Sequence, residues 1–191
     1  MKYNIKKIQE KYTAGEQMKY LFFWGHQPTK DGSISKSCLS QWWMSRFMEN
    51  NVIYKSAEHY MMEGKARVFN DVEIAAKIIA SDSPHKAKQL GREIRGFNDK
   101  AWNQHKYEIV KQANYLKFTQ NEGLQKFLLN TTDKIIVEAS PDDRIWGIGM
   151  AENHSNVANP NEWKGSNLLG FALMEIRDEI TYKNRKRNAN I

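Results

Sequence analysis

The amino-acid sequence predicts a mainly α-helical fold with a small β component. Apolar residues recur at helical spacing through most of residues 56–130, whereas strand-like apolar runs are short, as at residues 52–54 and 134–139. The chain has 191 residues, of which 40% are hydrophobic and 12% aromatic, which is enough for one sizeable core. These features favour a single folded domain over a disordered chain.

The first fifty residues combine one predicted helix with short apolar segments. Residues 4–17 have helical periodicity, which Gly15 weakens near the end of the segment. Residues 18–24 are apolar and aromatic and indicate a buried strand, and residues 25–37 are typical of a loop. Residues 38–47 fit a short strand or a helical turn equally well.

The central part of the chain is predicted to be a series of helices. A short strand at residues 52–54 leads into a helix for which Ser56 is a good N-cap. Within the helical region we expect further helices over residues 99–119 and 122–129. Helix boundaries are predicted at Asn70-Asp71, at Ser81-Asp82-Ser83-Pro84 and at Gly96.

The last third of the sequence predicts a strand, a long loop and a final helix. The strand covers residues 134–139, and the loop at residues 150–166 is too long for a plain connector. The helix is expected from residue 167 to about residue 177. The predicted organisation is therefore a helical extension at residues 1–18, one domain at residues 19–181 and a basic, disordered tail at residues 182–191.

The charge and the cysteine content narrow the class of protein. The net charge is +7 and the pI is near 9.3, which favours an anionic partner such as a phosphorylated small molecule or nucleic acid. Eight of the 29 basic residues lie near the two ends of the chain. The other 21 are balanced by 22 acidic residues, so the rest of the chain is nearly neutral and the charge alone is weak evidence for nucleic-acid binding. One cysteine, no leader and no long apolar run predict a cytoplasmic protein without a membrane partner. The sequence does not indicate an oligomeric state.

Several kinds of chemistry are poorly supported by the spacing of the residues. His59 and Glu63 lie one helical turn apart and could share a metal, but a packing pair is the more frequent outcome. Cys38 has no histidine near it in sequence. Gly147 and Gly149 lack the third glycine of a dinucleotide-binding turn. No metal and no cofactor are therefore expected.

The strongest candidate chemistry lies on the helix that follows Ser56. Glu58 falls in its first turn, and Lys65 follows seven residues later, about 10.5 Å along the axis and on the same face. Helical side chains tilt toward the N-terminus, so Lys65 is expected to lean toward Glu58. A carboxylate in a first turn is more often only a partner of the helix dipole. Elsewhere, Trp146 lies beside two glycines. A platform on which a base stacks and a core residue are equally supported interpretations of this tryptophan.

These elements belong to a longer pattern that occurs in one order over roughly residues 20–180. The pattern comprises Tyr54-x-Ser56-Ala57-Glu58-His59-Tyr60 with Lys65-Ala66, Ser83-Pro84-x-x-Ala87-x-x-x-Gly91-Arg92, Trp102, Lys117-Phe118-x-Gln120, Leu128-Leu129-x-Thr131, Val137-Glu138-Ala139-Ser140-x-x-Asp143-x-x-Trp146-Gly147-x-Gly149 and Gly165-x-Asn167-x-Leu169-Gly170-x-x-Leu173-Met174-x-x-Arg177. It resembles the NADAR family, also called the YbiA-like N-glycosidases. Residues 1–18 and 150–164 lie outside the family pattern.

The resemblance implies a YbiA-like single-domain helical fold and cleavage of an N-glycosidic bond between ribose and an amine-bearing base. The substrates that it implies are phosphoribosylamino-pyrimidine intermediates of riboflavin synthesis or ADP-ribosylated guanine, with nucleic acid as a modified substrate. Breaking the C1′–N bond develops positive charge on the sugar and needs a proton on the departing nitrogen. A carboxylate can supply both needs.

On this basis the catalytic residues are expected to be Glu58, Lys65 and Asp143. Glu58 is the acid/base and charge-stabilising group, Lys65 is either a positioned cation or a Schiff-base nucleophile, and Asp143 holds a ribose hydroxyl or a water. The expected substrate-binding residues are Tyr54, His59, Arg92, Trp102, Trp146, Gly147, Gly149 and Asn167. Two alternatives remain at this point: a non-catalytic module that binds NAD-derived nucleotides or ADP-ribosylated nucleic acid, and a protein that binds nucleic acid through its basic tail.

Overall fold

The computed structural model describes residues 1–189 and confirms a mainly helical fold with few strands. Its helices are α1 (Ile5–Thr13), α2 (Ala57–Val68), α3 (Val72–Ala80), α4 (Pro84–Leu90), α5 (Asp99–Thr119), α6 (Glu122–Leu129) and α7 (Leu168–Ala189). Its strands are β1 (Tyr20–Phe23), β2 (Phe47–Glu49), β3 (Val52–Tyr54) and β4 (Ile135–Glu138). Short 3-10 helices occur at Lys36–Leu39 and Pro160–Glu162. The residues fall into two compact units, one formed by residues 1–40 and the chain from Gly123 onward, the other by residues 41–122.

The first unit is built on a parallel pair of strands. Tyr20 of β1 lies opposite Ile135 of β4, and Phe23 lies opposite Glu138. The middle residues of β4 are buried, and α7 packs along this strand. A parallel pair with apolar residues on both faces needs cover on both sides, which explains why α7 is buried through its first half.

The second unit combines a hairpin with four helices. Asn50 and Asn51 both adopt positive φ, 49° and 64°, which is the conformation of the predicted turn between β2 and β3. The helix α2 packs against α3, α4 and α5. A side chain at Gly64 would lie 2.9 Å from Ile109 Cγ2, so glycine there permits the close approach of α2 and α5.

The two ends of the chain differ from the sequence prediction. The last helix continues to Ala189 rather than ending near residue 177, so residues 182–189 are helical where a disordered tail was predicted. Lysine and arginine are good helix formers, and a 2.6 Å ion pair from Lys183 to Glu179 spans one turn of this segment. Residues 190–191 of the predicted tail lie outside the described residues. In the described chain, no helix is both long and apolar enough to cross a membrane.

The N-terminal extension is a short helix attached to α7. Asn4 caps α1, and the helix ends at Thr13, before the Gly15 that the sequence marks as its weak point. The backbone N–H of Lys2 donates to Glu175 at 2.5 Å, and the Tyr3 hydroxyl donates to Asp178 at 2.7 Å. These contacts fix the start of the chain within the first unit.

Candidate active site

The first turn of α2 holds a buried carboxylate. The Ser56 side chain caps the helix, as predicted, by accepting from the backbone N–H of His59. Glu58 is only 4% exposed, and its backbone N–H donates to the carbonyl oxygen of Gln41 at 3.0 Å. A first-turn glutamate that only complements the helix dipole stays in solvent, so the burial of Glu58 favours a specific role.

Lys65 lies two turns further along α2 and is half-buried. Its Nζ donates to the carbonyl oxygen of Gly91 at 2.8 Å and lies 4.1 Å from the ring centroid of Phe97. Burial lowers the pKa of Lys65 below its usual value, and the positive charge of Arg92 lowers it further, while Asp99 and Glu58 act in the opposite direction. The amine therefore loses its proton more readily than an exposed lysine does.

The pairing of Glu58 with Lys65 stays a prediction, and the electrostatic influence of Glu58 on the amine is small. Glu58 raises the pKa of Lys65, but less than Asp99 does. The hydrogen bond of the lysine is to Gly91, at the end of α4. The buried side chains of Met61 and Met62 lie between the two charged residues along the helix. The structure thus places carboxylate and amine on one helix and anchors the amine through Gly91.

Arg92 and Trp102 belong to the same unit as Glu58. The side chain of Arg92 is exposed and directly follows the glycine that binds Lys65. Trp102 lies in the first turn of α5, three residues after Asp99, and is 8% exposed. Arg92 therefore has the exposure that a phosphate partner needs, whereas Trp102 is buried.

His59 and Tyr54 are both buried and bonded within the protein. The two ring nitrogens of His59 bond to Ser56 Oγ at 2.8 Å and to the carbonyl oxygen of Ser81 at 3.2 Å. Since a carbonyl only accepts, Nε2 carries the proton, and burial lowers the pKa of this histidine. The Tyr54 hydroxyl is buried and donates to Glu63 at 3.3 Å. These contacts disfavour direct substrate binding by either residue, and the lone pair on Nδ1 of His59 is already used to accept a hydrogen bond from the Ser56 hydroxyl.

Three further buried polar residues of this unit are absent from the predicted site residues. Gln41, Asn114 and Lys117 are 6%, 0% and 0% exposed. Asn114 Nδ2 donates to Gln41 Oε1 at 2.6 Å. Lys117 does belong to the quoted sequence pattern, and a charged residue on the apolar face of a predicted helix is the signal that could have identified it.

The remaining predicted residues lie in the other unit, and all of them except Asn167 are in the turn after β4. Asp143 Oδ1 accepts from the backbone N–H groups of Ile145 and Trp146 at 2.8 and 2.7 Å. Asp143 and Trp146 are half-buried. The carboxylate therefore shapes the turn that carries the indole ring, and in residues 1–189 its Oδ2 makes no hydrogen bond.

Asn167 and the two glycines support the same turn. Asn167 is fully buried, donates to the carbonyl oxygen of Ile136 at 2.9 Å and accepts from the N–H of Glu138 at 3.0 Å. A side chain at Gly147 would meet the carbonyl oxygen of Glu138, and Gly149 has a φ of +63°. Backbone geometry explains these glycines and this asparagine without a ligand. Across residues 1–189 no group of three His, Cys, Asp or Glu side chains is placed to bind a metal.

Comparisons with known proteins agree with this architecture. The model of the NADAR domain family matches residues 22–181. An N-glycosidase of Acanthamoeba polyphaga mimivirus is 44% identical over 169 residues, which are 86% of this chain and 98% of that protein. N-glycosidase YbiA of Escherichia coli K12 is 30% identical over 127 residues, 66% of this chain and 71% of that protein. The NMR structure of E. coli YbiA has a TM-score of 0.70 over 88% of both chains at 24% identity, a similarity of fold.

The match to the family covers the chain from β1 to the middle of α7 and includes both units. Relatives between 30% and 44% identical are named N-glycosidases. The chain therefore belongs to the NADAR family and is a hydrolase of glycosyl bonds.

Proposed function

We propose that this protein hydrolyses the N-glycosidic bond between ribose and an amine-bearing base, with Glu58 and Lys65 as its catalytic residues. The observation that carries the proposal is the buried carboxylate of Glu58 on the same helix as a half-buried amine whose pKa is lowered. Ionisable groups with shifted pKa values are concentrated at catalytic sites. The proposed substrate is a phosphorylated ribosyl base or an ADP-ribosylated nucleotide, for which the exposed guanidinium of Arg92 is a suitable phosphate partner.

In the proposed reaction Glu58 gives a proton to the departing nitrogen as the C1′–N bond breaks. The carboxylate that remains stabilises the positive charge on the sugar. The neutral amine of Lys65 adds to C1′, the C1′–O4′ bond opens with a proton transferred to O4′, and an imine forms. Water then hydrolyses the imine to release ribose and restore the amine.

The lowered pKa of Lys65 favours this nucleophilic role over that of a positioned cation. A cation gains nothing from a shift that weakens its charge, whereas a nucleophile needs a neutral amine. Borohydride reduction during turnover should leave a stable sugar adduct on Lys65. A protein that turns over fully and shows no adduct would leave Lys65 with the electrostatic role only.

The main test of the proposed function is the change of Glu58 to Gln, which keeps the shape and removes the acid. Mass spectrometry of products should show at least a hundredfold slower release of base from ADP-ribosylated guanosine or from the aminopyrimidine ribotide. The exposed Glu108 on α5 provides the matched control, since Glu108→Gln should leave the rate unchanged. Unchanged hydrolysis of both substrates by Glu58→Gln would overturn the mechanism.

The non-catalytic alternative makes the opposite prediction. A binding module would be stabilised by the nucleotide without forming product, and Glu58→Gln would leave its affinity largely intact. The roles predicted for Asp143 and Trp146, and a ligand contact by Tyr54, His59, Gly147, Gly149 or Asn167, stay predictions. The internal hydrogen bonds and backbone geometry described above favour structural roles for most of them.

A further inference from the structure

We infer that Gln41 and Asn114 form a buried amide pair that positions Glu58, an assignment that rests on the proposed role of this glutamate. Asn114 Nδ2 donates to Gln41 Oε1 at 2.6 Å, and the backbone carbonyl of Gln41 accepts from the N–H of Glu58 at 3.0 Å. The pair therefore connects the middle of α5 to the first turn of α2. Neither residue is among those predicted from the sequence.

The orientation of both amides is set by further bonds. Asn114 Nδ2 also donates to the carbonyl oxygen of Val110 at 2.9 Å, so exchanging its nitrogen and oxygen would break two hydrogen bonds. Gln41 Nε2 lies 3.3 Å from the sulfur of Met61. Gln41 thus holds α2 at two points three residues apart, which fixes the rotation of the helix and the direction of Glu58.

The composition of the pair points to more than packing. Buried amides are stable only when hydrogen-bonded, and apolar residues of similar volume would fill this interior at lower cost. Moreover, among residues 1–189 no donor reaches the buried Oδ1 of Asn114. An acceptor left without a donor inside a domain is a feature that calls for a functional explanation. The unpaired oxygen is the cost of an orientation in which the nitrogen of the same amide donates to Gln41 and Val110.

The test uses a double replacement by apolar residues of similar size, Gln41→Met with Asn114→Leu. Each single change removes the hydrogen bond between the two amides and leaves the other amide buried without it, whereas the double change removes both amides and should regain thermal stability lost in the singles. For a positioning pair, kcat of the double variant stays 10- to 100-fold below wild type, with KM within threefold, because a small displacement of a catalytic group slows the reaction. A double variant with wild-type stability and wild-type kcat would overturn the inference.

Two further variants separate misplacement from general loss of stability. Ile78→Val removes a buried methylene from α3 and should lower the thermal midpoint with kcat unchanged. Asn114→Asp is nearly isosteric, and only its protonated acid can donate to Gln41 Oε1, so its kcat relative to wild type should rise toward low pH. If the kcat of Asn114→Asp relative to wild type did not change with pH, the inference would be contradicted even if the apolar double variant failed to fold.

These outcomes also distinguish the inference from the function on which it rests. If Glu58→Gln remains active, the proposed function fails, whatever the amide variants show. If Glu58→Gln is inactive while the stable amide variants keep wild-type kcat, only the positioning role fails.

Discussion

The Nζ atom of Lys65 lies 2.8 Å from the carbonyl oxygen of Gly91, so the amine of α2 is held by the residue that ends α4. Gly91 is also the residue against which Met62 packs, because an added side chain there would overlap the methionine sulfur. The same glycine therefore serves the packing of the unit and the position of the amine. The backbone of Gly91 is right-handed helical, a conformation that any residue can adopt. Glycine is therefore needed there because a side chain would overlap Met62, not because of its backbone freedom.

Replacing Gly91 by Ala tests this close packing. We expect a loss of about 1–3 kcal/mol in the free energy of unfolding, since Met62 must leave its place, and a lower kcat as the carbonyl moves away from Lys65. Denaturant unfolding and steady-state kinetics measure the two effects. Adding Met62→Ala creates room and should recover part of the stability lost by Gly91→Ala. If the two changes are strictly additive, the proposed overlap is wrong.

The pKa of Lys65 predicts how activity depends on pH. Burial lowers this pKa, so for a nucleophilic amine kcat/KM should rise with pH, with the midpoint of the rise below 10.5. A positioned cation predicts the reverse, a rate that falls as the amine loses its proton. Lys65→Arg keeps the charge but forms no imine, and we expect it to be at least a hundredfold slower. An active Lys65→Arg enzyme would favour the cation.

Asn167 is expected to support stability rather than substrate binding. Replacing it by Ala removes two hydrogen bonds to the buried backbone of β4 and places alanine at a φ of +51°, which together should cost about 2–4 kcal/mol. KM of the folded enzyme should stay within twofold, because these bonds are internal. Chemical unfolding and low-temperature kinetics provide the measurements. The exposed Asn156 offers a control, and a large increase in KM for Asn167→Ala alone would support the ligand contact instead.

Local patterns in the sequence were sufficient to predict much of the fold. The bounds of α5 and α6, the cap at Ser56 and the turn at Asn50-Asn51 depend on side chains within a few residues of each boundary, so they are readable from the sequence. The extent of α7 is not, because a basic run is compatible with a solvated coil as well as with a helix.

The candidate site was only partly predictable for a different reason. Glu58 and Lys65 lie on one helix, and their spacing alone places them on a shared face. Gln41 and Asn114 are 73 residues apart, and only the tertiary packing of α5 against α2 brings them together. Hydrophobic periodicity also treats a buried asparagine as an interruption of the apolar face, which hides residues such as Asn114.

The buried His59 predicts loss of stability in mild acid. Its pKa in the folded protein lies below the usual value near 6.5, so the unfolded chain binds a proton more readily. The contribution of the neutral His59 to stability is complete above that usual pKa and is lost as pH falls through the folded pKa. The free energy of unfolding should therefore decline more steeply below about pH 6.5.

His59→Gln should lower the free energy of unfolding by about 1–3 kcal/mol at pH 7, because Ser81 and Ser56 lose their partner. The same change should flatten the decline of stability with falling pH. Denaturant unfolding between pH 5 and 8, with the exposed His105→Gln as control, provides the measurement. An equally steep decline in wild type and His59→Gln would show that another group controls the acid sensitivity.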